Sequence, residues 1–230
     1  MVKLNRVRVI ELVEPDFFGT TLNHNIVMVE GGPSGGIMMI DTGLPGYLDE
    51  ISKYLDAWGF SLEDISDVVV THWHPDHSGN AEEIRRISKA KVYAHADEEE
   101  YLLHPRRFDL PYDSVKEELG IGEEEFQETL RRINGISFHP VTVDVKLKGG
   151  ENLAGFKVIH VPGHTPGHIA LHDGVVLVTG DAVRAPHGEP SPPLAFFSWD
   201  YVKALKSFKR LLSLPFRYLI PYHGEVVERW

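Results

Sequence analysis

Four side chains able to bind a metal ion lie within six residues, directly after a short apolar strand. The segment is DVVVTHWHPDHSGN, residues 67–80. The valines read as a buried strand, and His72, His74, Asp76 and His77 follow where it ends. Alternate residues of an extended segment point the same way, so His72 and His74 can offer imidazoles to one ion. Asp76 and His77 fall where the chain turns into a helix, and so can face a neighbouring point. Imidazole and carboxylate together suit zinc and related divalent metals. A histidine-rich surface turn at a strand end is the competing reading, and four ligand-type side chains within six residues directly after a buried strand weigh against it.

Three further residues repeat the context of a ligand-type side chain after an apolar run. His164 follows FKVIHVPG, Asp181 follows GVVLVTG, and His223 follows RYLIPY. Strands that fix ligands while loops shape a pocket are what an open α/β site needs. Short strands are expected at 3–13, 25–30, 36–41, 67–71, 91–95, 141–147, 156–161, 168–172, 175–179 and 217–221. Helical spacing appears over 47–58, closed by Gly59, over 78–88, over 123–133, and over 199–213 with Ser198 as its N-cap. The acidic stretch 97–134 reads as a helical insertion. Two groups of strands, each followed by helices, suit two packed sheets with helices outside, in one domain covering 1–230. Of the 13 histidines, His168 is expected to be structural, and His24, His95, His104, His139, His160, His172 and His187 lack a ligand-spaced companion.

Composition removes several function classes. No cysteine is present, which excludes thiolate metal sites, disulfides and cysteine nucleophiles. A net charge of −11 without a Lys/Arg cluster argues against nucleic acid or an anionic membrane as partner. No run approaches the ~18 apolar residues of a membrane span, and the start has no apolar signal core. A cytoplasmic enzyme acting on a small molecule is expected, with a homodimer left open.

IDTG at 40–43, THWHPDHSGN at 71–80, VPGHTPGHIAL at 161–171, TGD at 179–181 and YHGE at 222–225 together resemble the metallo-β-lactamase superfamily, in its glyoxalase II-like and lactonase-like branch. The spacings, 87 residues from His77 to His164, 17 to Asp181 and 42 to His223, are similar too. The resemblance implies a four-layer αβ/βα sandwich with two divalent metals at one edge, zinc first and iron or manganese as alternatives. It implies that His72, His74 and His164 hold one ion, that Asp76, His77 and His223 hold the other, and that Asp181 bridges them together with a hydroxide. In relatives the IDTG aspartate, here Asp41, supports the metal site. Asp76 and Asp181 are the residues on which catalysis would depend most.

The implied reaction is hydrolysis of a small carboxyl derivative, a thioester or a lactone. A small-molecule phosphodiesterase, or an iron-dependent oxidoreductase of the same fold such as a persulfide dioxygenase, is the alternative. The flavin-linked di-iron members carry a glutamate where this chain has His74. Glyoxalase II proper has a C-terminal helical extension that helps bind glutathione, whereas seven residues follow His223 here, which weighs against glutathione thioester specificity. Lactonases carry a tyrosine three residues after the bridging aspartate, and this chain has Arg184. Arg184, with the apolar Phe196 and Phe197, is expected to bind an apolar or acyl substrate that also carries an anionic group. An ion pair between Arg184 and Glu189 is the competing expectation.

Overall fold

The computed structural model describes residues 3–137 and 139–229. Apolar–polar alternation near the start produces β1 (Lys3–Leu4) and β2 (Val7–Phe17), separated by a turn at Asn5 with φ of 55°. β3 (Thr20–Glu30) returns antiparallel to β2, and β4 (Ile37–Ile40) antiparallel to β3. β5 (Ile65–Val69), β6 (Lys91–His95) and β7 (Val145–Leu147) then add in parallel, completing a seven-stranded sheet in sequence order. The second sheet holds β8 (Asn152–Leu153), β9 (Phe156–His160), β10 (Ile169–His172), β11 (Val176–Gly180), β12 (Tyr218–Pro221) and β13 (Val227–Glu228), again in sequence order. Among the described strands of this sheet β11 and β12 run parallel and the other neighbours antiparallel.

Three apolar seams hold four layers together. α1 (Leu48–Ala57) and α3 (Ala81–Ser88) cover the first sheet, setting Ile51, Leu55 and Ile84 against Ile26, Met28 and Val68. Between the sheets, Val27, Val29 and Val69 meet Val158, Leu171 and Val178. α7 (Tyr201–Leu212) covers the second sheet with Leu211 against Ile159, Leu177 and Leu219. β3 is buried on both faces, Ile26 and Met28 toward the helices and Val27 and Val29 toward the other sheet. Each fully buried aliphatic side chain contributes roughly 1.5–3 kcal/mol, so the sandwich is a stiff base for whatever its strand ends carry. Among the described residues no helix is long and apolar enough to cross a membrane.

Between β6 and β7 the chain forms α4 (Glu99–Leu103), α5 (Tyr112–Leu119) and α6 (Glu123–Asn134), the helical insertion expected at 97–134. Several boundaries differ from the sequence reading. The first strand runs on to Phe17 and makes a hairpin with an early β3, because the alternation near its tip is carried by polar residues. The strand expected from 141 begins at Val145; the Val141 N–H donates to Leu102 in the insertion instead of the sheet. The expected helix 78–88 is divided into α2 (Pro75–Ser78) and α3. Asp200, not Ser198, caps α7, its carboxylate accepting the Lys203 N–H.

Candidate metal centre

Every candidate ligand lies beyond the C-terminal end of a strand, where open α/β sheets place their crevice. On the first sheet the backbone leaves β4 through Asp41, whose φ is 60°. Asp41 Oδ1 accepts the Thr71 N–H and Oδ2 accepts the Thr71 hydroxyl, both at 2.8 Å. Oδ2 also receives His77 Nδ1–H at 2.8 Å, which leaves Nε2 of His77 facing the cleft. With its proton given to Asp41, Thr71 Oγ1 can accept His72 Nδ1–H at 3.1 Å. The Nε2 lone pair of His72 is then free, and that atom is buried without a partner among the described residues. Asn80 Nδ2 ties the turn after the histidines to Thr42 O and Leu44 O at 2.6 and 2.7 Å. Backbone and hydroxyl contacts therefore set ring orientation and tautomer before any ion is considered.

The second sheet supplies the opposite side. His164 sits in the loop between β9 and β10, and Asp181 follows β11 through Gly180. At Gly180 (φ 51°) an added Cβ would press on the His168 ring and on Thr71 Oγ1, so the two sheets meet here across a glycine. His168 Nε2 accepts the Asp181 N–H at 3.1 Å, which is the structural role expected of it. His223 follows β12 and donates Nδ1–H to Asn23 O at 2.7 Å, while Asn23 Oδ1 accepts the Gly224 N–H. Tyr222 donates its hydroxyl to the backbone carbonyl of Asp76.

Six of the seven side chains expected as ligands converge in two sets that share Asp181. His72, His74, His164 and Asp181 offer ligand atoms all within 4.8 Å of one another, as do His77, Asp181 and His223. His74 Nδ1 and His164 Nε2 stand 3.1 Å apart. Two ring nitrogens bound to one zinc at ~2.0–2.1 Å in tetrahedral geometry come to about 3.3 Å. Asp181 turns Oδ2 toward His164 (3.5 Å) and Oδ1 toward His77 (3.3 Å) and His223 (3.5 Å). Asp76 Oδ2 joins the second set, 3.2 Å from His223 Nε2 and 3.5 Å from His77 Nε2. His72 Nε2, His77 Nε2 and Asp181 Oδ1 are buried polar atoms unmatched by protein groups among the described residues, which fits a cation between them.

Charge divides the sets in the same way. Burial and neighbouring imidazoles hold His72 and His74 well below the usual range, and burial carries His164 down to about 4. These rings are neutral lone-pair donors at physiological pH. Burial opposes charge on His77 as well, but Asp76, Asp41 and Asp181 override it and hold its proton well above the usual range. His223 is raised by Asp181 and Asp76 against the same burial. The carboxylates of Asp76 and Asp181 lie well below theirs, with burial outweighed by the histidines around them. The second set is thus an anionic pocket that demands positive charge, as protons or as a metal ion.

A residue outside the sequence reading links the sheets beneath these ligands. Glu98 is fully buried; Oε2 accepts the Trp73 N–H at 2.8 Å and Oε1 the Gly167 N–H at 2.6 Å. Trp73 separates His72 from His74, and Gly167 lies between His164 and His168, so one carboxylate spans both ligand loops. Burial pushes Glu98 up to about 7 against those hydrogen bonds. In sequence it stands in the run DEEE, indistinguishable from surface acids. His24, expected to lack a ligand-spaced companion, is buried with Nδ1 3.6 Å from Asp76 Oδ2, and it offers a ring nitrogen within 4.8 Å of ligand atoms of Asp76 and His223. His95 and His160 stack at 4.0 Å beside Asp97, but His95 Nδ1 accepts the Asp97 N–H and His160 Nε2 faces Pro166 O.

The centre lies at the floor of a cavity of about 420 Å³ that His74, Asp76, His164, Asp181 and His223 all reach. Its walls are mainly apolar: Phe17 and Leu22 from the β2–β3 hairpin, Phe108 and Ile133 from the insertion, Leu194 and Phe197 from the loop after Asp181. Arg184 lines it too, part-buried, with Nε donated to Pro192 O at 3.0 Å and no acid in ion-pair range among the described residues. The expected alternative pairing with Glu189 is therefore not formed. Phe196 does not join the lining; it packs edge-on against Phe18 at 6.2 Å, in an apolar cluster with Phe126. The phenylalanine doublet splits because the turn at 195–197 sends successive side chains in different directions.

Comparison with known proteins bears on family and fold. The family model described as Metallo-beta-lactamase superfamily matches residues 19–223. A probable metallo-hydrolase, YflN of Bacillus subtilis, is 32% identical over 81% of this chain and 75% of its own. A hydroxyacylglutathione hydrolase of Hyphomonas neptunium is 29% identical over 84% of this chain, a match spanning 60% of that enzyme. The crystal structure of a metallo-beta-lactamase family protein from Thermus thermophilus superposes with a TM-score of 0.70 at 23% identity, covering 98% of this chain and 75% of the other. Fold, motif order and family match agree: the chain belongs to the metallo-β-lactamase superfamily, whose fold implies divalent metal ions.

Proposed function

We propose that the chain is a dinuclear metallohydrolase, with zinc as its first metal, that cleaves a thioester or lactone carrying an apolar part and an anionic group. The observation that carries this reading is the sharing of Asp181 between two ligand sets at the floor of an apolar cleft. His72, His74 and His164 would hold one ion, Asp76, His77 and His223 the other, with Asp181 between them. Divalent ions so held lower the pKa of bound water to roughly 7 and polarise a carbonyl oxygen.

The chain's own residues do the rest. Asp41, Asn23 and Thr71 fix the ligand rings, so little reorganisation is needed when charge develops on the substrate. The apolar wall takes the acyl or ring portion and keeps bulk water from it. Arg184 carries its charge on the cavity lining near Asp181 and can pair a carboxylate or phosphate of the substrate through two hydrogen bonds. The likeness to a hydroxyacylglutathione hydrolase, at modest identity, supports thioester chemistry but not glutathione in particular.

The test is a panel of thioesters, lactones, phosphodiesters and persulfides, each in an anionic and a neutral form, with zinc and then iron supplied. Turnover of a thioester or lactone with zinc, faster for the anionic form, is expected. Turnover confined to phosphodiesters, or to persulfides with iron, would contradict the proposal.

A further inference from the structure

His24 is a histidine where the fold calls for a hydrocarbon. On β3 it follows the row that turns Ile26 and Met28 toward α1, and its β2 neighbour in register is buried Leu12. An aliphatic residue would continue the row. The imidazole is instead 1% exposed, and neither ring nitrogen has a hydrogen-bond partner among the described residues. Its ring packs against Tyr222 at 5.4 Å and His223 at 5.1 Å, with Tyr47 at 6.3 Å. These contacts fix the ring so that Nδ1 stands 3.6 Å from Asp76 Oδ2, the same oxygen that faces His223 and His77.

The two histidines of the second ligand set have their outer partners. His77 gives Nδ1–H to Asp41, and His223 gives Nδ1–H to Asn23 O. Asp181 is held through its backbone N–H by His168. The Asp76 backbone carbonyl likewise accepts the Tyr222 hydroxyl, but among the described residues His24 is the one imidazole outside the ligand set that faces its carboxylate, which is the most exposed of the centre, at 20%. A ligating carboxylate without an outer donor is free to turn, and such donors commonly set how tightly a metal is held.

We propose that His24 is a positioning residue of the second metal position, donating Nδ1–H to the Asp76 carboxylate and so setting the affinity of the second ion. This rests on the dinuclear reading above. The donor–carboxylate bond is charge-assisted, and closing 3.6 Å to hydrogen-bond distance takes a shift of well under an ångström.

Metal-free protein titrated with zinc against a chromophoric chelator tests it without measuring turnover. Asn at position 24 carries its amide N–H close to where Nδ1 stands, whereas Gln carries it nearer to Nε2. His24→Ala is expected to weaken the second zinc-binding step by ~10–100-fold and to leave the first within a few-fold. His24→Asn should restore the second step and His24→Gln should not. Thermal melting of the metal-free variants establishes that each is folded, and the Asn–Gln contrast compares two variants of similar polarity. An unchanged second step in His24→Ala, equal affinities in Asn and Gln variants, or equal weakening of both steps would overturn the inference. A wild-type chain that takes up one zinc would overturn the dinuclear reading, and the inference with it; two zincs in the wild type with no effect of His24→Ala overturns the inference alone.

Discussion

The floor and the walls of the cleft are built on different principles. On the floor, candidate ligands are tied by backbone N–H groups, carbonyls and carboxylates: Asp41 to Thr71 and His77, Asn23 to His223, Glu98 to Trp73 and Gly167. The walls are held mainly by aromatic packing, Phe17 on Phe197 at 6.0 Å and Phe18 on Phe126 at 6.2 Å, with polar straps at the rim: Arg132 of the insertion grips Asp16 of the hairpin at 2.8 Å, and Glu118 accepts the Ala195 N–H at 2.9 Å. Directional bonds fix atoms to fractions of an ångström. Apolar contacts tolerate exchange of one side chain for another. On the proposed reading chemistry belongs to the first region and substrate choice to the second, and the two should respond differently to substitution.

The largest effect is expected at Asp181. Its replacement by Ala removes the only side chain common to both ligand sets, so turnover should fall well beyond the ~10–100-fold of an outer-shell change and metal content should drop. Residual activity within tenfold of wild type would break the division between floor and walls.

Glu98 comes next, because it anchors two ligand loops without touching a ligand. Ala there strands two buried N–H groups, each costing about 1–3 kcal/mol, so the melting temperature should fall by roughly 5–15 °C. The pH dependence has a definite sign. Folding raises Glu98 from 4.5 to about 7, so the folded chain holds a proton the unfolded chain has lost. That contribution is complete below the ordinary carboxyl range and disappears as pH rises through about 7, with a full span on the order of 3 kcal/mol. Denaturant titrations of metal-free protein between pH 5 and 8 should show the decline, and Glu98→Gln should flatten it. An equally steep decline in the Gln variant would remove Glu98 as its source.

Arg184 stands where floor meets wall. Arg184→Ala should slow anionic substrates by ~10–100-fold, the worth of a hydrogen bond to a charged group, and neutral analogues far less. Equal losses on both would make the arginine structural. Smallest are the walls themselves: Ile133→Ala or Phe197→Ala should shift KM a few-fold and change the preferred acyl group, with metal content unaltered. A drop in metal content would mean that walls and floor are one unit.

The convergence of the floor was legible in sequence because each candidate ligand follows a buried apolar run, and burial leaves a mark that composition cannot hide. VVV before His72, VLV before Asp181 and LIP before His223 announce strand ends. Glu98 and His24 escaped because their roles depend on contacts between distant segments. A glutamate among acids and a histidine in a half-polar strand carry no local signature. The walls were less legible still. Arg184 was separable from Glu189 only once Pro192 O was seen to hold its Nε, and Phe196 from Phe197 only once the turn had set their directions. The β2–β3 hairpin went unread because polar residues such as Thr20, Thr21 and Asn23 form its returning strand, and pairing rather than burial extends it.

The central claim is that the two ligand sets hold two ions across Asp181. Elemental analysis of protein purified without chelator, then saturated with zinc and freed of excess, addresses it most directly. The account predicts about two metal ions per chain, falling to one or fewer in Asp181→Ala. A wild-type chain that saturates at one ion in excess zinc would contradict it.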